Sequence, residues 1–184
     1  MVTDVPVQNK LPNEIIVDNE DSEFEVTILE NKSLLEKLIV KEEENKRRYE
    51  GINWWRPPLN WTATTNTDFY GEYVRSAYYI KGGDGSQVAT WNVPIKKAGY
   101  YDVYFHLYKT RSRRRDRSED KGEYNFVISG EDGPENTALA HQSADEGWNH
   151  LGTYYFNPDT AKIELSNNTQ LRFVFADAVK LVEL

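Results

Sequence analysis

The 184-residue chain contains no cysteine. It therefore has no disulfide, no thiolate metal ligand and no cysteine nucleophile, which fits the cytosol or a cysteine-poor exported bacterial protein. No apolar run approaches the ~20 residues that span a bilayer, and residues 1–12 lack the basic start and apolar stretch of a signal peptide. Acidic residues outnumber basic ones by 30 to 22, and the net charge of −8 disfavours nucleic acid or an anionic membrane as the main partner.

Aromatic residues are abundant, at 13% of the chain with 12 tyrosines and 5 tryptophans, and such side chains favour pleated strands. Most of the chain reads as short strands separated by turns rich in Gly, Asn and Pro. The predicted strands cover residues 14–17, 24–29, 69–80, 86–93, 100–108, 124–129, 147–156, 161–166 and 175–181. This pattern predicts an all-β fold, an antiparallel jelly-roll-like β-sandwich.

Residues 33–48 depart from the strand pattern. Ser33 and Glu36 form a capping box, and four apolar residues at 34–39 lie on one helical face. We therefore predict one inserted α-helix at about 33–48, with its charged half in water. Residues 1–13 contain two prolines and no sustained period, so we predict a linker or arm there and a single sandwich domain over 14–184.

Six blocks along the chain carry a family resemblance. They are Ile16-Val17-Asp18-Asn19, Phe69-Tyr70-Gly71-Glu72-Tyr73, Ala89-Thr90-Trp91, Ala98-Gly99-Tyr100-Tyr101-Asp102-Val103-Tyr104, Gly147-Trp148-Asn149-His150-Leu151-Gly152 and Ala176-Asp177-Ala178-Val179. In their order and spacing they resemble the golvesin C-terminal-like domain, which is also found in bacterial xanthan lyases and is grouped with carbohydrate-binding sandwiches. The resemblance implies a non-catalytic sandwich appended to a secreted or cell-surface bacterial protein, often one that acts on polysaccharide. If the chain is an excised module, its own lack of a signal says little about location.

Three tryptophans in a proline-containing loop are candidate sugar-stacking residues. Trp54, Trp55 and Trp61 offer indole faces that match the apolar C–H face of a pyranose. Arg56 and Asn60 are placed to hydrogen-bond sugar hydroxyls. The alternative is that these tryptophans cover one end of the sandwich.

Two further groups are candidate ligand contacts. Tyr104, His106 and Tyr108 alternate along one strand and would form a polar aromatic stripe if that sheet face is open. Arg111 and Arg113 begin a run of arginines whose guanidinium groups match carboxylates, so this loop could grip an anionic polysaccharide. The alternatives are a covered sheet face and arginines paired with neighbouring acids.

Asp18, Glu20 and Asp177 are candidate ligands for a structural Ca²⁺, if the first and last strands are neighbours. Sandwiches that bind sugar often hold such an ion. In the alternative reading, Asp177 accepts backbone N–H bonds at a bulge. No other cofactor is predicted.

The sequence presents no convincing catalytic set. It has three histidines and no nucleophile elbow, zinc-protease, phosphate-loop or dinucleotide motif. The leading expectation is an accessory module that binds polysaccharide. The alternatives are a structural or adhesion module that docks neighbouring domains or proteins and, third, a polysaccharide lyase or glycoside hydrolase, with Tyr104, His106 and Arg111 as a lyase set.

Overall fold

The computed structural model of the protein describes residues 13–27, 49–109 and 121–184. These residues form strands and no helix. The strands are β1 (Glu14–Val17), β2 (Phe24–Val26), β3 (Thr62–Thr65), β4 (Ser76–Lys81), β5 (Val88–Ile95), β6 (Gly99–Leu107), β7 (Glu123–Gly130), β8 (Gly133–Ala140), β9 (Gly147–Phe156), β10 (Asp159–Ser166), β11 (Phe173–Ala176) and β12 (Val179–Glu183). The predicted all-β class is confirmed. The helix predicted at about 33–48 and the arm predicted at 1–13, apart from Asn13, lie outside the described residues.

The described strands pair into three antiparallel sheets. A four-stranded sheet has the order β1-β12-β6-β9, a five-stranded sheet has the order β2-β5-β10-β7-β8, and a three-stranded sheet has the order β11-β4-β3. Across the described part of the chain, no residue belongs to a helix long and apolar enough to cross a membrane.

The two larger sheets pack face to face around one apolar core. In β6 the alternation of side chains buries Tyr101, Val103, Phe105 and Leu107. The Phe105 ring lies 6.0 Å from that of Trp91 in β5 and 5.0 Å from that of Phe126 in β7. Each such buried side chain contributes about 1.5–3 kcal/mol to stability. The β-sandwich is confirmed, and its jelly-roll connectivity stays a prediction.

The three-stranded sheet carries a second apolar cluster, formed by Phe69, Ala77, Tyr79, Tyr108, Phe173 and Phe175. The rings of Tyr79 and Phe175 stack at 5.8 Å, and those of Phe69 and Tyr108 lie 4.7 Å apart. This cluster ties the sheet to the end of β6, because Tyr108 follows its last residue.

Two predicted strands have different bounds in the structure. Of 69–80, only the part from Ser76 onwards forms β4, because Phe69 N donates to Asn66 O and closes a turn there. The single strand predicted at 175–181 is two strands, β11 in the three-stranded sheet and β12 in the four-stranded sheet. The chain changes sheets at Asp177, which is fully buried.

Two strands were missed from the sequence. β3 has the sequence TATT, which is too short to show a period. Among the described strands β8 pairs only with β7, at the edge of its sheet, and it begins with a Gly-Pro pair, which is typical of a turn. Proline is tolerated on edge strands, where its missing N–H interrupts no internal ladder.

Candidate functional site

The loop at 53–60 presents two tryptophans to solvent. Trp55 is 81% exposed and Trp54 is 46% exposed. The Oδ1 atom of Asn53 accepts hydrogen bonds from the backbone N–H groups of Trp55 at 3.2 Å and Arg56 at 2.9 Å. This is an Asx turn, in which a side chain fixes the backbone two and three residues ahead. The exposed indoles therefore sit on a defined loop.

Arg172 fastens this loop to the three-stranded sheet. Its Nη2 atom donates to Trp54 O at 2.6 Å, with Trp55 O at 3.5 Å. The Trp54 ring packs edge-on against Phe173 at 5.4 Å, and Lys81 N donates to Pro58 O at 2.9 Å. Sequence reasoning missed Arg172, because no local pattern connects it to a loop 118 positions earlier.

Trp61 does not belong to this exposed group. It is 8% exposed and lies in the main core, immediately before β3. An indole enclosed in this way has no free face for a sugar ring, so the prediction of Trp61 as a stacking residue is corrected. Arg56 and Asn60 are exposed on the same loop as Trp55.

Tyr104 and His106 lie on the outer face of the four-stranded sheet, as their alternation predicts. Across the β6–β9 register, Tyr104 faces His150 and His106 faces Trp148. Lys180 of β12 places its Nζ atom 5.1 Å from the centre of the Tyr104 ring and 4.9 Å from that of Trp148. Cation–π contacts of this kind hold both rings in place.

Tyr108 leaves this stripe. It is 5% exposed and packs against Phe69 and Phe175 in the second cluster, and its hydroxyl accepts a hydrogen bond from Asn66 Nδ2 at 3.1 Å. The pairing of β6 ends at Leu107, so the alternation that placed Tyr104 and His106 outside no longer applies one residue later. The prediction of Tyr108 as a surface contact is corrected.

Asp177 is the buried centre of this region. Its Oδ2 atom lies 2.9 Å from His106 Nδ1, and its two carboxylate oxygens lie 3.2 and 3.1 Å from the backbone N of Tyr70. Its own carbonyl accepts a bond from Trp91 Nε1 at 3.2 Å. Burial raises the pKa of Asp177 to about 6, while the hydrogen bond and charge of His106 act in the opposite direction.

Asp18 lies close enough to Asp177 for their charges to interact. Burial first, and the negative charge of Asp177 second, raise the pKa of Asp18 to about 8. Its Oδ1 atom accepts a bond from Asn19 N at 2.8 Å, and its own N–H donates to Asp21 Oδ2 at 2.8 Å. At neutral pH Asp18 therefore keeps its proton.

A cleft of about 260 Å³ opens beside Asp18. We call it the acidic cleft; its polar and aromatic lining consists of Asp18, Glu20, Asp21, Tyr70, Glu72 and Tyr73. Tyr73 stands at its rim and is 93% exposed. Sequence reasoning named Asp18 and Glu20 only as metal ligands and missed the cleft. Residues 70–73 are distant from them in the sequence, and only the folded chain brings the two segments together.

The predicted calcium ligands do not form a metal-binding group in the described residues, where no set of three or more His, Asp or Glu side chains is arranged to hold an ion. Glu20 Oε1 instead accepts bonds from Ser76 Oγ at 2.5 Å, Asn19 Nδ2 at 3.2 Å and the Tyr49 hydroxyl at 3.0 Å. Asp177 is bound to Tyr70 and His106. Glu20 and Asp177 thus direct their oxygens to protein donors, and calcium stays an untested prediction.

The predicted lyase set cannot be assembled from the described residues. Arg111 and Arg113 lie outside them, and His106 has its Nδ1 atom turned to Asp177. The anionic-ligand role of the two arginines stays a prediction.

Comparisons with known proteins give a family and a fold. A family model described as the Golvesin C-terminal domain matches residues 56–183. Paenibacillus xanthan lyase is similar in structure, with a TM-score of 0.63 and 22% identity over 94% of this chain and 13% of that protein. No match was found among curated protein sequences.

Two further solved structures are similar over a part of the chain. The Podospora anserina GH26-CBM35 β-(1,4)-mannanase has a TM-score of 0.41 and 16% identity, over 70% of this chain and 27% of that one. The Phanerochaete chrysosporium exo-β-1,3-galactanase has a TM-score of 0.40 and 11% identity, over 68% and 27%. No conclusion about this chain follows from these two.

Proposed function

The chain belongs to the Golvesin C-terminal domain family, and from that premise we propose that it is a non-catalytic accessory module of an exported bacterial protein that binds polysaccharide. It spans 13% of the length of the xanthan lyase that shares its fold. A catalytic activity of any larger protein would then reside elsewhere in that protein, and the role of this module would be to hold the polymer.

One observation carries the proposal: the Trp55 indole is exposed on a loop that Asn53 and Arg172 hold in place. An exposed aromatic ring of this size loses little conformational freedom on binding when its backbone is already fixed. Its face covers the apolar C–H surface of a pyranose, and the adjacent Arg56 and Asn60 can bond the hydroxyls.

The sheet face offers a second set of contacts. Tyr104 and His106 lie beside Trp148 on the outer side of the four-stranded sheet, and all three are half-buried. The charge of Lys180 is matched there by Glu14, at 3.5 Å between Nζ and Oε1. Sugar rings approaching this face would meet aromatic edges and no strong net charge.

Affinity gel electrophoresis on plant, fungal and bacterial polysaccharides tests the proposal. We expect retardation on at least one neutral polymer and a loss of affinity of tenfold or more with Trp55→Ala. Tyr100→Ala is the matched control, since Tyr100 is another exposed aromatic residue, packed on Tyr155 at 5.2 Å. Failure to bind any of the polymers, or equal effects of the two substitutions, would contradict the proposal.

A docking role is the second candidate, because Leu59 is exposed on the same loop as Trp55. Two exposed apolar side chains on one loop are typical of a protein contact as well as of a sugar site. Under this alternative Trp55→Ala and Leu59→Ala would both weaken association with a neighbouring domain or protein. Stacking on sugar would depend on Trp55 alone.

The predicted calcium site and the predicted role of Arg111 and Arg113 can each be tested by one experiment. Calcium added to EDTA-treated protein should raise the Tm if Asp18 takes part in an ion site. Replacement of Arg111 and Arg113 by glutamine should weaken binding to anionic polysaccharide if these side chains grip uronates.

A further inference from the structure

The acidic cleft has the size of a site for one small polar molecule. At about 260 Å³ it lies just below the usual range for drug-sized ligands. It is formed between the end of β1 and the loop at 70–74, and it shares no residue with the exposed tryptophan loop. The residues that line the cleft therefore determine which molecule it can bind.

The loop that forms one wall is held in a defined shape. Gly71 has a φ of +146°, and a Cβ atom built on it would lie 1.9 Å from the carbonyl oxygen of Val74. The backbone of Tyr70 is bound to Asp177, and Arg75 Nη1 donates to Thr67 O at 2.6 Å. The cleft is thus preformed, which reduces the entropy lost when a ligand binds.

The wall is rich in acceptors. Glu20, Asp21 and Glu72 contribute carboxylate oxygens, Asp18 contributes a protonated carboxyl group, and none of the residues lining the cleft is basic. Glu20 Oε1 already accepts bonds from three protein donors, so the acceptors left for a ligand are those of Asp21 and Glu72.

The rim adds an aromatic ring. Tyr73 is almost fully exposed, so its phenol ring does not contribute to the core. Tyr70 forms the inner wall and packs edge-on against Trp148 at 5.3 Å. Aromatic rings beside carboxylates complement a molecule that has apolar C–H faces and many hydroxyl donors.

From this lining we propose that the acidic cleft is a second saccharide site, separate from the tryptophan loop, which takes an uncharged sugar residue and rejects a uronate. The inference rests on the proposed polysaccharide-binding function and names the ligand class of one site. Sugar hydroxyl groups donate to the carboxylates of Asp21 and Glu72 in charge-assisted bonds, and the Tyr73 ring covers the sugar face. The carboxylate of a uronate would meet like charges with no cation in the lining to offset them.

Calorimetric titration of the full chain tests this. The probes are cello-, manno- and galacto-oligosaccharides and, at equal length, oligogalacturonides. We expect binding of at least one neutral series and at least tenfold weaker binding of the uronates. Tyr73→Ala and Glu72→Gln should each weaken neutral binding three- to tenfold, whereas Tyr100→Ala should leave it unchanged. Both substituted residues are exposed, and circular dichroism and Tm verify that the variants fold.

The outcomes separate this inference from the proposed function. If Trp55→Ala weakens neutral binding while Tyr73→Ala and Glu72→Gln do not, the cleft is not a saccharide site and the proposed function stands. If uronates bind as tightly as neutral sugars and Glu72→Gln does not change their affinity, the assignment of ligand class is wrong. If no saccharide binds at millimolar concentration, both are overturned.

Discussion

The buried carboxylate of Asp177 accepts the backbone N–H of Tyr70, 107 positions earlier in the chain, at 3.1–3.2 Å from both its oxygens. The same carboxylate lies 2.9 Å from His106 Nδ1. One side chain at the crossover between two sheets therefore joins the wall of the acidic cleft to the outer face of the four-stranded sheet. This shared anchor connects the two surfaces to which we assign ligands.

Asp177→Ala is expected to lower the free energy of unfolding by about 3 kcal/mol or more, because it leaves the buried N–H of Tyr70 and the half-buried imidazole of His106 without their acceptor. Urea denaturation measures the effect. Asp102→Ala is the control: Asp102 also faces a histidine, with 3.1 Å to His150 Nε2, but the pair is partly exposed and should contribute less than about 1 kcal/mol. Equal effects of the two substitutions would contradict the anchoring role.

The raised pKa of Asp18 predicts a pH dependence of stability. The folded protein keeps the Asp18 proton up to about pH 8, whereas the unfolded chain loses it near the ordinary value of 3.8. The folded state thus binds more protons between these values, and stability falls as pH rises from about 4 to 8 and levels off above that range. The contribution is at most about 1.4 kcal/mol per pH unit.

Asp18→Asn isolates this contribution, since the amide still offers an oxygen to Asn19 N. As pH rises from 5 to 8, wild type should lose stability that the variant keeps. The free energy of unfolding of the variant should therefore increase relative to that of wild type. Asp132→Asn, in the exposed turn between β7 and β8, should show a constant difference. A constant difference for Asp18→Asn as well would show that its pKa is not raised.

Gly71→Ala should destabilise the protein by more than about 2 kcal/mol, because it combines left-handed backbone strain with a collision against the Val74 carbonyl. Gly133→Ala separates these effects. Gly133 has a φ of +100° with no atom within 4 Å of an added Cβ, so only the strain of about 1 kcal/mol applies. Thermal unfolding measures the Tm of both variants. A larger decrease in Tm for Gly133→Ala than for Gly71→Ala would show that an added Cβ at Gly71 does not collide with the Val74 carbonyl.

Tryptophan fluorescence distinguishes the exposed indoles from the buried ones. Iodide should quench Trp55 strongly and Trp61 and Trp91 hardly at all, since the latter two lie in the core. Trp55→Phe should therefore reduce the quenchable emission, to which the exposed Trp54 also contributes, without lowering the Tm. Trp61→Phe should leave the quenching unchanged and lower the Tm, and the reverse pattern would contradict the assignment of the two residues.

Arg172→Ala tests the fastening of the tryptophan loop. Loss of its bonds to the carbonyls of Trp54 and Trp55 should weaken polysaccharide binding several-fold through greater freedom of the loop. Arg172→Lys, which keeps one charge but not the planar fork, should restore binding only in part. Wild-type affinity in the alanine variant would show that the loop does not need this residue.

Local patterns in the sequence predicted much of the fold. The alternation in β6 placed Tyr101, Val103, Phe105 and Leu107 on one face, and all four are buried. This works because the two-residue period of a strand depends only on its own backbone. The turn residues bounded several strands for the same reason, since the preferences of Gly, Pro and Asn act over a few residues.

The positions of the candidate sites depended on contacts between distant parts of the chain. Trp55 and Trp61 are the same residue type in one loop, yet the structure exposes the first and buries the second. Asp177 appeared to lie within one continuous strand, and only the pairing of β11 and β12 with different sheets made it a buried junction. The sequence by itself determined the strands and their inward faces, because these follow from local periodicity. Tertiary packing alone decided which aromatic rings face water and where the acidic cleft opens, because burial depends on what the other sheets cover.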